Sequence, residues 1–117
     1  MRLTEITYPE ALPIESYGPG FFRLGGQVLR GPVVISPWSA VGWGGLDDTE
    51  TPLRLAGRID VLFVGMGAEL APVPRAFRTV LEEAGIGVEP MNSPAACRTY
   101  NVLLSEGRLI ATALIPV

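Results

Sequence analysis

The 117-residue chain has no histidine, and its nine basic residues are all arginine (Arg2, Arg23, Arg30, Arg54, Arg58, Arg75, Arg78, Arg98 and Arg108). Without imidazole there is no Ser–His triad and no histidine-ligated zinc. Without lysine there is no Schiff base and no P-loop lysine. The one cysteine, Cys97, permits neither an internal disulfide nor a thiolate metal cluster. Runs of positive charge are missing as well. Nine positive charges stand against twelve negative for a net charge of −3, and the scattered arginines lack the basic footprint of a nucleic-acid binder. No stretch approaches the ~20 apolar residues that span a bilayer, and Met1–Thr7 lacks the apolar run of a signal peptide. The expected address is the cytoplasm, where a lone cysteine stays reduced.

What the chain does have is 48% hydrophobic residues, 14 glycines and 11 prolines. That is enough apolar material for one domain over residues 1–117, with no repeat or linker dividing it. Residues 1–20 are rich in turn signals (Pro9, Pro13, Gly18, Pro19, Gly20), which predicts a surface stretch. Phe21–Leu24 and Gln27–Arg30 flank Gly25-Gly26 and read as a hairpin, because paired glycines supply the positive φ of such turns. Val33–Ile35 is β-branched between Pro32 and Pro37, and is expected to add a third strand to that antiparallel opening sheet. Trp38 to Gly45 reads as a strand followed by a polar loop. The acidic run Asp47, Asp48 and Glu50 lacks EF-hand spacing and is expected to be solvated.

Beyond residue 58 the pattern becomes strand–helix–strand. Ile59–Val64 is nearly all apolar and ends at Gly65-Met66-Gly67, as suits a strand buried on both faces. Pro74 opens a helix whose Phe77, Val80, Leu81 and Ala84 follow helical spacing, and Gly85 stops it. Ile86–Glu89 is the next strand. Ser93-Pro94 starts a second helix, with Ser93 expected as its N-cap. It runs to Gly107, and Leu109–Ile115 closes the chain as a strand.

The stretch Met91-Asn92-Ser93-Pro94-Ala95-Ala96-Cys97-Arg98-Thr99-Tyr100-Asn101-Val102-Leu103, then Ser105-Glu106-Gly107-Arg108 and Ala111-Thr112-Ala113-Leu114-Ile115-Pro116, resembles a small-domain family. That family includes mitochondrial respiratory complex I assembly factor 3 and the adipogenesis-associated domain protein. Val64-Gly65-Met66-Gly67 and Val33-Val34-Ile35-Ser36-Pro37-Trp38 match further segments, so the resemblance runs from about Ile14 onward. It implies a mixed α+β, three-layer α/β fold: antiparallel N-terminal strands and a mixed central sheet with two main helices, the last strand antiparallel to its neighbours. It implies no established enzymatic activity, and no cofactor is expected. One departure is Met66, where relatives usually carry a small polar residue between the glycines. The arginine-only, Ala/Gly/Pro-rich composition points to a bacterial member.

The candidate site follows from topology. In open α/β sheets the crevice lies at the carboxyl ends of parallel strands, facing helix N-termini. That edge would collect Gly65, Met66, Gly67, Asn92, Ser93 and Arg98, and a helix start beside an arginine suits a small anion. Arg98 could instead pair with Glu69. Gly65-Met66-Gly67 has Leu70 where a dinucleotide fingerprint needs a third glycine, so a structural turn is the reading. Cys97 falls on the apolar helix face and reads as core. Thr99 and Asn101 are polar residues inside a helix, satisfied either by a neighbouring backbone or by a ligand. Glu106 and Arg108 are expected to form a local ion pair. The function expected is a non-catalytic interaction or assembly module that binds a protein partner or itself, with Trp38 and Trp43 as anchors if exposed. The alternative is a small-molecule or anion binder, conceivably an enzyme, using the crevice.

Overall fold

The computed structural model describes residues 5–117, so the first four residues of the turn-rich opening stretch lie outside it. Strand β7 (Val61–Met66) carries apolar residues toward both faces and occupies the sheet interior, with β8 (Gly87–Met91) on one side and β9 (Ile110–Ile115) on the other. Helices α2 (Arg75–Glu83) and α3 (Ser93–Ser105) connect these strands. Each helix carries the chain back before the next strand begins, so both pairings are parallel, with Val61 opposite Gly87 and Ile110. The two crossovers run in opposite directions along the sheet. Right-handed connections then require the helices to lie on opposite faces, and the core shows that they do. Leu62, Val64, Ala111 and Ala113 pack with Phe77 and Leu81 of α2. Phe63, Ile110 and Leu114 pack with Ala96, Cys97 and Tyr100 of α3.

The mixed sheet is completed by β5 (Val33–Ile35), β6 (Ser39–Gly42) and β1 (Ile6–Thr7), in the order β1-β6-β5-β9-β7-β8. The last strand, β9, is antiparallel to β5 but parallel to β7. The expected opposition to its neighbours therefore holds on one side only, because α3 returns the chain to the start of β7.

Gly25 and Gly26, at φ +58° and +77°, turn β3 (Phe21–Leu24) into β4 (Gln27–Arg30), as their spacing predicts. The third strand of that sheet is β2 (Ile14–Gly18), not Val33–Ile35. All three residues of β5 are buried, and a strand apolar toward both faces belongs in the middle of the large sheet. Residues 5–20 thus contribute two strands, β1 and β2, where only a surface stretch was expected. The small sheet covers α3, with Ile14, Phe22 and Leu24 in the same cluster as Cys97 and Tyr100. The layers are then α1 (Glu50–Leu53) and α2, the mixed sheet, and α3 beneath the small sheet.

Helix ends obey local chemistry. Gly85, at φ +87°, follows α2, with its N–H donating to the Glu82 carbonyl and that of Ile86 to the Leu81 carbonyl. Buried Leu81 and Ile86 supply the apolar contact of this Schellman ending. Val80, expected on the apolar face of α2, is exposed. Beyond β6, Trp43 is buried with its ring 6.0 Å from that of Phe77, and Trp38 is half-buried under Arg58. Neither tryptophan is a free anchor.

Candidate functional site

Both helix starts do reach the carboxyl margin of the parallel strands, but the α3 start is joined to that margin. Asn92 is the N-cap: its Oδ1 accepts the Ala95 N–H at 2.8 Å, and its carbonyl accepts the Ala96 N–H at 2.9 Å. Ser93, expected in that role, is the first helical residue. Its N–H donates to the Gly67 carbonyl at 2.7 Å, and its Oγ accepts the Gly67 N–H at 2.9 Å while donating to the Ile115 carbonyl. Pro94 has no N–H. Every first-turn donor of α3 is therefore engaged within the protein, and the geometry offers no open backbone cradle for an anion.

The glycines fit this joint. A Cβ on Gly65 would sit 2.7 Å from Ser93 Oγ, 2.9 Å from Ser93 Cα and 2.8 Å from Leu114 Cδ2, so its absence lets α3 approach β7. Gly67, at φ +97°, turns the chain out of the strand.

The remaining candidates disperse. Met66 points to the opposite face, packed against the Leu62 and Val64 cluster. Cys97 is core. Asn101 reaches the small sheet, where its Oδ1 accepts the Ile14 N–H at 2.8 Å and its Nδ2 donates to the Ile14 carbonyl at 2.9 Å. Its partner is thus a backbone, on a strand the sequence did not reveal. Glu106 is the exposed C-cap at the far end of α3, whose 13 residues span about 20 Å. Among the described residues the ion pair is Arg78–Glu82 at 3.2 Å; Glu106–Arg108 and Arg98–Glu69 do not form.

Arg98 and Thr99 instead line a shallow apolar groove on the outer side of α3, with Val102 and Leu103. Val102 is 56% exposed. Sequence reasoning passed over it, although an apolar residue off the Ala96, Cys97 and Tyr100 stripe signals an uncovered position.

Electrostatics agree with a structural joint. Burial pushes the Cys97 thiol up to about 11, against the smaller lowering effect of Arg98. Burial likewise raises the Tyr8 and Tyr100 phenols. Burial alone would raise Asp48 too. Hydrogen bonds from the Thr51 hydroxyl and the Gly44 and Thr51 N–H groups, with the charge of Arg54, outweigh it and hold this carboxyl below its usual value. Part of the acidic run is thus a turn-binding carboxylate ahead of α1 rather than a solvated loop. Among the described residues no group of His, Cys, Asp and Glu side chains could hold a metal ion.

Residues 14–115 match the protein family described as "Protein of unknown function (DUF498/DUF598)". An uncharacterised protein of Rhodobacter capsulatus is 49% identical over 117 residues, which is all of this chain and 94% of that protein. Human NADH dehydrogenase [ubiquinone] 1 alpha subcomplex assembly factor 3 is 33% identical over 114 residues, covering 92% of this chain and 62% of its own length. The chain thus spans less than two thirds of that relative. Among solved structures, a Bartonella henselae protein described as an outer membrane protein superposes with TM-score 0.85 at 35% identity, over 94% of this chain and 98% of its own. A Bordetella pertussis protein described as an Mth938-like domain gives TM-score 0.76 at 24% identity, over 99% of this chain and 92% of its own, a likeness of fold. Among the described residues no helix is long and apolar enough to cross a membrane.

Proposed function

The chain belongs to the DUF498/DUF598 family, and from that premise we propose that it is a non-catalytic docking module of the assembly-factor kind. The observation that carries this reading is the 33% identity to a named assembly factor over 92% of the chain. The site geometry favours it over a metabolite-binding crevice, since the helix start that would cradle a ligand is engaged by Gly67, Asn92 and Ile115. The docking surface is the outer ridge of α3, where Thr99, Val102 and Leu103 offer an apolar strip beside the Arg98 charge. Strips of this kind, with a cation at the rim, suit a protein partner or a second copy of the chain. The single buried thiol suits a reducing compartment, and the module works in the cytoplasm.

Affinity capture with Val102→Arg against the parent chain tests this, alongside light scattering for self-association. A partner or dimer held by the parent and lost in the variant, at equal melting temperature, is the expected result. Identical recovery and identical mass for both proteins would refute it.

A further inference from the structure

On the α1 side of the sheet lies a second feature, remote from α3. A cavity of about 70 Å³ opens between the β5–β6 end and the segment 51–58, lined by polar Ser36, Ser39 and Thr51 and by Arg54 and Arg58, with Glu5 also on its wall. The two arginines stand at either end of the turn that follows α1, and both line this cavity. Neither is within ion-pair distance of a carboxylate among the described residues. Asp48, the acid whose carboxyl feels the Arg54 charge, already accepts the Gly44 N–H, the Thr51 N–H and the Thr51 hydroxyl. Arg58 lies with its guanidinium carbon 4.0 Å from the centre of the Trp38 ring. A cation–π contact of this kind uses the guanidinium's charge over the ring and does not consume its N–H donors, which stay available to an oxyanion.

Charge and size select the ligand. Two cations against one acid give this cavity a positive balance on a molecule of net charge −3. A water molecule needs roughly 10–15 Å³ of such space, so the cavity holds a group of a few heavy atoms. Cofactor and substrate sites occupy roughly 300 Å³ or more, which excludes a nucleotide from lying within it. We infer that the Arg54–Arg58 cavity is a binding site for a phosphate-class oxyanion, gripped by both guanidinium groups with the Ser39 hydroxyl at hand. The oxyanion comes either as free phosphate or as the phosphate of a small monoester. This site stands on its own side of the sheet, independent of the docking ridge.

The test titrates inorganic phosphate and, separately, glycerol phosphate into the protein at constant ionic strength, reading the Trp38 indole N–H resonance and the heat of binding. Expected is saturation by at least one of the two in the range of about 1 mM. The one that binds more tightly identifies the source. An Arg54→Gln/Arg58→Gln double variant should weaken it at least about tenfold by removing two charge-assisted contacts, while Arg30→Gln on β4 leaves it unchanged. Both arginines are exposed, so melting temperatures should match. A response that grows linearly and is reproduced by chloride, or saturation undiminished in the double variant, would overturn the assignment.

Discussion

Cys97 and Tyr100 lie in the core cluster that α3 shares with the mixed sheet and the small sheet, and burial acts on both. The thiol rises from 9.0 to about 11. The folded-state value lies above the unfolded one, so unfolding releases a proton between them. This contribution to stability is complete below the unfolded value of 9.0 and is lost as pH rises toward about 11. Two consequences are measurable. Alkylation of the native protein at pH 8 should run at least about a hundredfold slower than in urea, since two pKa units alone reduce the thiolate by that factor. Stability against urea should fall between pH 9 and 11 less steeply in Cys97→Ala; an unchanged slope would remove the thiol from the account of alkaline unfolding. Tyr100 is fully buried, and its hydroxyl finds no partner among the described residues, whereas the Tyr8 hydroxyl donates to the Ser36 carbonyl. An unsatisfied buried hydroxyl costs about 1–3 kcal/mol. Tyr100→Phe is expected to melt higher, by roughly 1 kcal/mol of stability; a clear loss of stability would mean that the hydroxyl is satisfied.

At the scale of elements, the joint between β7 and α3 carries the most consequence. Gly65→Ala would push a methyl group against the Ser93 backbone and Leu114. Neither the strand nor the helix start can retreat without breaking the Gly67–Ser93 bonds, so overpacking of about 1–3 kcal/mol is expected in chemical denaturation. An unchanged midpoint would show that α3 is free to move away. Features controlled by neighbouring residues were legible in sequence: the Gly25-Gly26 hairpin, the Gly85 helix stop and the two crossovers. Features decided at long range were not. Asn92 and Ser93 are both good caps, and only the distant Gly67 and Ile115 partners reassign Ser93. Val33–Ile35 follows the hairpin closely, yet its partner β9 comes from the far end of the chain. Asn101 announced itself as a polar residue in need of a bond, but its partner Ile14 lay in a stretch that reads as turns.

Across the whole molecule, the mixed sheet separates two sides with different character. One side carries α1, α2 and the arginine cavity. The other carries α3 under the small sheet, with its outer ridge uncovered. The mixed sheet with its helices was legible from apolar periodicity, and the layers from the family resemblance. The contents of the margin were not, because whether a helix start is open or engaged depends on contacts that no spacing encodes. The central claim is that this margin is closed, the premise on which the docking proposal rests. Amide hydrogen exchange tests it most directly, because the Gly67, Ser93 and Ala95 N–H groups each have an internal acceptor at 2.7–2.9 Å. Strong protection at all three, comparable to that of the interior strand β7, is the predicted result. Exchange at those amides as fast as in the exposed loops would mean an open crevice, and would contradict the claim.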